Sequence, residues 1–270
     1  MMQVLPIPAF YDNYIWLIIN EQQAICVDPG EASPLLHFLK KEQLNLKAIL
    51  LTHHHHDHIG GTQDLVESLP KLSVYGPQDG RIPHLTHSLE EGDVLKIAGC
   101  EFQILATAGH TSSHISYYEA QKAWLFCGDT LFSAGCGRVF DGTIEELHKS
   151  LQRLKNLPEQ TKVFSAHEYT EKNLNFAAMV EPKNPDISHY IQLLQKEKSP
   201  CSLPSTIALE KQINPFFRTQ VPEVQAFAKV RELRGAILYP CFSNFGRKKI
   251  SFRKSGQYLI KSIDKWSNAS

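Results

Sequence analysis

Thr52-His53-His54-His55-His56-Asp57-His58 constrains this chain more than any other stretch. It is entered from the apolar run Ala48-Ile49-Leu50-Leu51 and left through Gly60-Gly61. A short apolar run bounded by glycine is the pattern of a buried strand, so the imidazoles are delivered by a strand end rather than by a histidine-rich surface tract. Residues two apart in extended chain project to one side, which puts His53 and His55 together. Asp57 and His58 follow after the chain turns and point elsewhere, so the stretch holds material for two half-sites. Neutral imidazole is a leading ligand for zinc, iron and other divalent ions. His54 and His56 fill the places between ligands.

Three further segments repeat the sequence of apolar run, sharp turn and candidate ligand. Phe102–Leu105 leads through Ala106-Thr107-Ala108-Gly109 to His110, Ala123–Cys127 leads through Gly128 to Asp129, and Lys162–Ala166 leads to His167. In layered α/β architectures, ligand sites collect where strands end and loops converge. The candidates are then His53, His55, Asp57, His58, His110, Asp129 and His167. That is more than one tetrahedral ion can use, and it suits two ions that share a carboxylate. His114, after Ser112-Ser113, is read as a hydrogen-bonding or core histidine outside the set.

At 270 residues and 42% hydrophobic, the chain can bury a substantial core in one large domain or a large and a small one. Strands are expected over 3–8, 14–19 and 24–27, the last closed by the turn Asp28-Pro29-Gly30, with a helix over 34–41 that starts on Pro34 and another over 61–69. After His167 the pattern turns helical, over 169–179, 187–198 and 224–233, without convincing strand alternation between 170 and 235. The formal net charge is zero, which argues neither for nucleic acid nor for an acidic partner. The N-terminus lacks the basic and apolar segments of a signal peptide, and no run approaches the roughly 20 apolar residues that span a bilayer. The six cysteines are scattered and form no Cys-x-x-Cys pair, the pattern of buried thiols in a cytoplasmic protein.

Two divalent ions bring four positive charges, and Asp57 and Asp129 return two negative ones. A bridging hydroxide leaves such a centre near +1, suited to an anionic tetrahedral intermediate, and metal binding can lower the pKa of water to about 7. With no general acid obvious beside the cluster, a thiolate leaving group fits, since a thiol has a pKa of about 8.5.

The spacing T-H-x-H-x-D-H resembles the metallo-β-lactamase superfamily signature. Gly135-Cys136-Gly137-Arg138-Val139-Phe140-Asp141-Gly142-Thr143, Ala166-His167-Glu168-Tyr169-Thr170, Thr107-Ala108-Gly109-His110-Thr111 and Asn214-Pro215-Phe216-Phe217-Arg218 resemble the glyoxalase II (hydroxyacylglutathione hydrolase) family, from the N-terminus to about residue 235. The resemblance implies an α/β fold, a metallo-β-lactamase-like αββα sandwich over 1–169 followed by a small α-helical substrate-binding domain over 170–235. A basic C-terminal extension, 236–270, lies beyond it. It implies that His53, His55 and His110 hold one metal, that Asp57, His58 and His167 hold the other, and that Asp129 bridges. The ions are expected to be zinc, with iron or manganese as alternatives. Arg138, Phe140, Tyr169, Arg231 and Arg234 are implied as substrate-binding, with Phe140 standing where some relatives have Tyr.

The implied reaction is hydrolysis of S-D-lactoylglutathione to glutathione and D-lactate, the second step of methylglyoxal detoxification. The metal-bridging hydroxide, held by Asp57 and Asp129, attacks the thioester carbonyl. The expected partner is this small molecule alone, with no nucleic acid and no membrane, and the protein is expected to be a monomer. Persulfide dioxygenases share the scaffold but use one iron, so the complete second half-site argues against them. A β-lactamase is disfavoured by the helical region and a degenerate binding module by the full ligand set.

Overall fold

The computed structural model describes residues 2–69, 71–197, 199 and 201–226. Most of the helix expected over 224–233, together with Arg231, Arg234, Cys241 and the 236–270 extension, lies outside the described residues. One sheet runs β1 (Gln3–Ala9), β2 (Asn13–Asn20), β3 (Gln23–Val27), β4 (Asn45–Leu50), β5 (Ser73–Pro77) and β6 (His87–Leu89) in sequence order. Its pairing is antiparallel up to β3 and parallel from there on. The second runs β14 (Ser205–Thr206), β13 (Lys162–Ser165), β10 (Trp124–Gly128), β9 (Ile115–Glu119), β8 (Cys100–Ala106) and β7 (Val94–Ile97), with β10 and β13 parallel. A short ribbon, β11 (Leu131–Phe132) and β12 (Gly135–Cys136), stands apart.

Strands β2, β3 and β10 read as nearly continuous apolar runs because both of their faces are covered. Along β2, Tyr14, Trp16 and Ile18 face the other sheet, and Ile15, Leu17 and Ile19 face out. The outer face packs on α1 (Ala32–Lys41) and α3 (Thr62–Ser68), through Leu35, Leu39 and Leu65. In the second sheet Phe126 and Phe164 point inward, where their rings stack at 4.8 Å. Leu125, Cys127 and Val163 point outward onto α4 (Ile144–Lys155) and α7 (Ile207–Ile213). Helix–sheet–sheet–helix layering is therefore what the two-sided strands demand. Each Leu, Ile or Phe buried this way is worth about 1.5–3 kcal/mol, which holds the strand ends to fixed positions.

Helices α5 (Thr170–Val180) and α6 (Pro185–Glu197) form a smaller core with α7 around Leu174, Ala177, Ile187 and Ile213. This part is not purely helical. Ser205 and Thr206 add the edge strand β14 to the second sheet, pairing Thr206 with Lys162 and Ser205 with Val163. Two residues are too few to show alternation in sequence, which is why no strand was expected there. Helix α4 was also not expected, although Thr143 and Glu146 form a reciprocal capping box at its start. Cys26, Cys100 and Cys127 are buried free thiols, as expected. Among the described residues no helix is long and apolar enough to cross a membrane.

Candidate metal centre

The strands end at one rim, and their loops meet there. β4 delivers residues 52–58, whose second half turns into the short helix α2 (His56–Ile59). β8, β10 and β13 deliver His110, Asp129 and His167. The sheets are tied together at this rim by Tyr14 N–H to the Ala166 carbonyl (2.7 Å), Glu168 N–H to the Asp12 carbonyl (2.8 Å) and Ile115 N–H to the Thr52 carbonyl (3.0 Å).

All seven candidate residues come together. Three groups have mutually close ligand atoms: His53, His55 and His110; Asp57, His58 and His167; and His53, His58 and Asp129. His55 Nδ1 lies 3.0 Å from both His53 Nε2 and His110 Nε2. Nitrogens held at about 2.0–2.1 Å by a tetrahedral ion would stand roughly 3.3 Å apart, close to that spacing. Asp129 faces both groups. Its Oδ2 is 3.4 Å from His110 Nε2, and its Oδ1 is 3.4 Å from His58 Nε2 and 3.3 Å from His167 Nε2. Asp57 Oδ2 is 3.5 Å from His58 Nε2 and 3.3 Å from His167 Nε2.

The outer face of each ring decides what its inner face offers. His58 Nδ1 is 3.0 Å from Asp28 Oδ2, His167 Nδ1 is 3.1 Å from Asp12 Oδ1, and His110 Nδ1 is 2.7 Å from the Arg138 carbonyl. Each of these oxygens can only accept, so Nδ1 carries a proton and Nε2 is the ring atom that faces inward as a ligand. The Thr52 hydroxyl donates to Asp28 Oδ2 at 2.7 Å and thereby accepts from His53 Nδ1 at 3.0 Å, with the same result for His53. His58 Nε2 and Asp129 Oδ1 are buried with no hydrogen-bond partner among the described residues. Orphaned donor atoms of this kind in a buried His/Asp cluster are what a divalent cation satisfies, so the residues fit such an ion.

The two groups differ electrically. Burial pushes the imidazoles of His53 and His110 down, and takes His55 to about 4, so that set offers neutral nitrogen. For His58 burial also opposes charge, but Asp129, Asp57 and Asp28 outweigh it and push the ring up to about 10. Burial likewise opposes ionisation of Asp57 and Asp129, but the neighbouring His58 and His167 hold both below the usual carboxylate range. The second set is therefore a carboxylate-rich, cation-seeking pocket.

Backbone had to come close to build this. A Cβ on Gly137 would overlap the Asp129 carbonyl oxygen and lie 2.9 Å from His110 Nδ1. Gly137→Ala is therefore expected to cost about 1–3 kcal/mol of stability by overpacking and to displace Asp129. Thermal unfolding with metal content per chain checks this; wild-type values for both would contradict it.

His114 is a hydrogen-bonding core residue, as expected. Its Nε2 accepts from Asp129 N–H at 3.2 Å, and Nδ1 lies 3.0 and 3.1 Å from the Thr107 and Thr130 hydroxyls. His54 and His56 stay out of the cluster, His54 lying 3.6 Å from Asp79. Phe140 is 53% exposed, with its ring 4.7 Å from that of His55 and 5.2 Å from that of His110. The Arg138 guanidinium lies 5.1 Å over Phe140. Tyr169 stacks on His167 at 4.6 Å, with Lys172 Nζ 5.6 Å from its ring. Sequence reasoning missed Asp12 and Asn13, in the turn between the first two strands, and Asp28, which it read only as closing a turn. Asn13 donates to Asp57 Oδ2 at 3.0 Å. The available signal was position: β3 and β4 are parallel neighbours, so Asp28 at the end of one stands beside Thr52 at the end of the other.

A metallo-beta-lactamase superfamily profile matches residues 9–167, and a hydroxyacylglutathione hydrolase C-terminus profile matches residues 168–238. The hydroxyacylglutathione hydrolase of Legionella pneumophila (strain Corby) is 53% identical over 254 residues, covering 93% of this chain and 100% of the relative. That of Vibrio cholerae serotype O1 (strain ATCC 39541 / Classical Ogawa 395 / O395) is 51% identical over 228 residues, covering 83% and 89%. Among solved structures, TTHA1623 in a di-iron-bound form aligns with a TM-score of 0.59 at 27% identity, covering 79% of this chain and 100% of that one.

Proposed function

The chain belongs to the hydroxyacylglutathione hydrolases of the metallo-β-lactamase superfamily, and on that premise we propose that it hydrolyses S-D-lactoylglutathione to glutathione and D-lactate. The observation that carries this reading is Asp129, one buried carboxylate with an oxygen toward each of two ligand groups. His53, His55 and His110 would hold one divalent ion and Asp57, His58 and His167 the other, with Asp129 between them. Two such ions, when bound, polarise a carbonyl and supply an activated water at neutral pH.

The chain's own residues do the rest. Asp28, Asp12, Thr52 and the Arg138 carbonyl keep a proton on each Nδ1 and leave Nε2 as the inward ligand atom, so only the second proton that the carboxylates favour on His58 and His167 has to leave when an ion binds. Arg138 and Tyr169 flank the cluster on opposite groups, where a guanidinium and a phenol can bind the carboxylate ends of a glutathione thioester. Phe140 covers His55 and His110 with apolar surface and limits water at the reacting carbonyl. The leaving thiol, with a pKa of about 8.5, departs as thiolate, so the site needs no protonated side chain beside the sulfur. We further assign Arg231 and Arg234 to substrate binding, zinc as the metal, a catalytic unit over 1–169 with a substrate-binding unit over 170–235, and a monomer acting in the cytoplasm. Unpaired buried thiols support that compartment.

The test is hydrolysis of S-D-lactoylglutathione by protein stripped with a chelator and reloaded separately with zinc, iron and manganese. Free thiol release is expected with at least one metal and none with the stripped protein. Fully loaded protein that releases no thiol would overturn the reading.

A further inference from the structure

The loop over 138–142 joins the candidate metal centre to the side chains assigned to substrate, and a clasp from the other sheet holds it. The loop after β5 carries Asp79 and Arg81. The Asp79 carboxylate is 6% exposed and accepts from Arg81 Nε (2.8 Å), Arg81 Nη2 (2.7 Å), Arg81 N–H (3.0 Å) and the Ser113 hydroxyl (2.6 Å). Arg81 Nη1 donates to Asp141, whose other oxygen accepts from Ser112 N–H at 2.8 Å. The middle of the same loop is tied to His110 twice. The Arg138 carbonyl accepts from its Nδ1 at 2.7 Å, and Phe140 N–H donates to its carbonyl at 2.9 Å.

We propose that Arg81 is a positioning residue for substrate binding: by tethering Asp141 to Asp79, it holds the Arg138–Phe140 loop against His55 and His110. The inference rests on the thioester-hydrolase reading. One guanidinium makes both contacts because its planar fork grips Asp79 with Nε and Nη2 and still presents Nη1 to Asp141. An ammonium is a single point and cannot reproduce that span. The Arg81–Asp141 pair that ties the loop is partly exposed on both sides and adds little to global stability, so its effect falls on loop order rather than on folding. Ordering the loop in advance lowers the entropy cost of binding, which is how a residue remote from the substrate sets its affinity.

Steady-state kinetics of the metal-loaded full chain on S-D-lactoylglutathione test this. Arg81→Ala is expected to raise KM about five- to tenfold with kcat within about twofold, the pattern of lost uniform binding. Metal content stays at the wild-type value. Arg81→Lys restores less than half of the loss, Asp141→Ala matches Arg81→Ala, and the double variant is no worse than either single one. Arg153→Ala, which removes a separate exposed pair with Glu91 at 2.6 Å, leaves KM unchanged. An unchanged KM in Arg81→Ala, additive effects in the double variant, or a fall in kcat with loss of metal would each overturn the proposal. If the wild type leaves this thioester intact, the substrate reading fails and the clasp is scored on hydrogen exchange. Faster exchange of the Phe140 amide in Arg81→Ala supports it, and unchanged protection overturns it.

Discussion

Asp129→Ala is expected to lower turnover of S-D-lactoylglutathione by at least about a thousandfold, roughly 4 kcal/mol or more of transition-state stabilisation. It should also reduce bound metal from two ions per chain to at most one. The reason is placement. Asp129 is buried, its two oxygens face different ligand groups, and the nearest nitrogens of His58, His110 and His167 are all within 3.4 Å. Removing the carboxylate takes a ligand from both groups at once and removes the negative charge that offsets two ions. The three-imidazole group, being neutral nitrogen, should retain weak affinity for one ion. Asp129→Asn keeps the size but loses the charge, and it should fall close to the alanine variant. Elemental analysis of dialysed protein beside the thioester assay checks both. An alanine variant that keeps two ions and turns over would show that Asp129 does not join the groups.

The same residue shows why this site was legible in sequence. A buried strand is a run of apolar residues with a defined end, and the fold places ligands just beyond such ends. Leu125-Phe126-Cys127-Gly128 therefore points at Asp129 as clearly as Ala48–Leu51 points at His53. What joins these ends in space is the layering, and that follows from strands buried on both faces. Contacts made across the layers leave no such trace. Arg81 and Asp141 are 60 residues apart and belong to loops whose meeting depends on how the two sheets stack. Asp12 and Asp28 carry turn chemistry in sequence, and the positive φ of 51° at Asp28 satisfies it. Only the neighbouring strand reveals their second use. The edge strand at Ser205–Thr206 was hidden for a different reason: its register comes from β13, not from any pattern of its own.

Asp28→Asn carries the other large expected effect, about a 10–100-fold loss of metal affinity with the fold retained. Asp28 Oδ1 accepts from Thr52 N–H at 2.8 Å, while Oδ2 accepts from the Thr52 hydroxyl at 2.7 Å and from His58 Nδ1 at 3.0 Å. Through His58 it orients one ligand group, and through Thr52 and His53 Nδ1 it orients the other. An amide presents one oxygen and one NH2, so whichever way the substituted side chain turns, a donor faces a donor. With the NH2 toward His58, the imidazole must move its proton to Nε2 and loses its inward lone pair. With the NH2 toward Thr52, the buried backbone N–H is left unsatisfied at a cost of about 1–3 kcal/mol, and the strand end carrying His53 shifts. Either orientation weakens a ligand without deleting one, which separates this variant from Asp129→Ala. Competition with a chromophoric chelator measures the affinity, and nitrogen chemical shifts of the histidine rings report the tautomer. If the Asp28→Asn variant binds both ions as tightly as wild type with the His58 proton still on Nδ1, then Asp28 serves only to close the turn after β3.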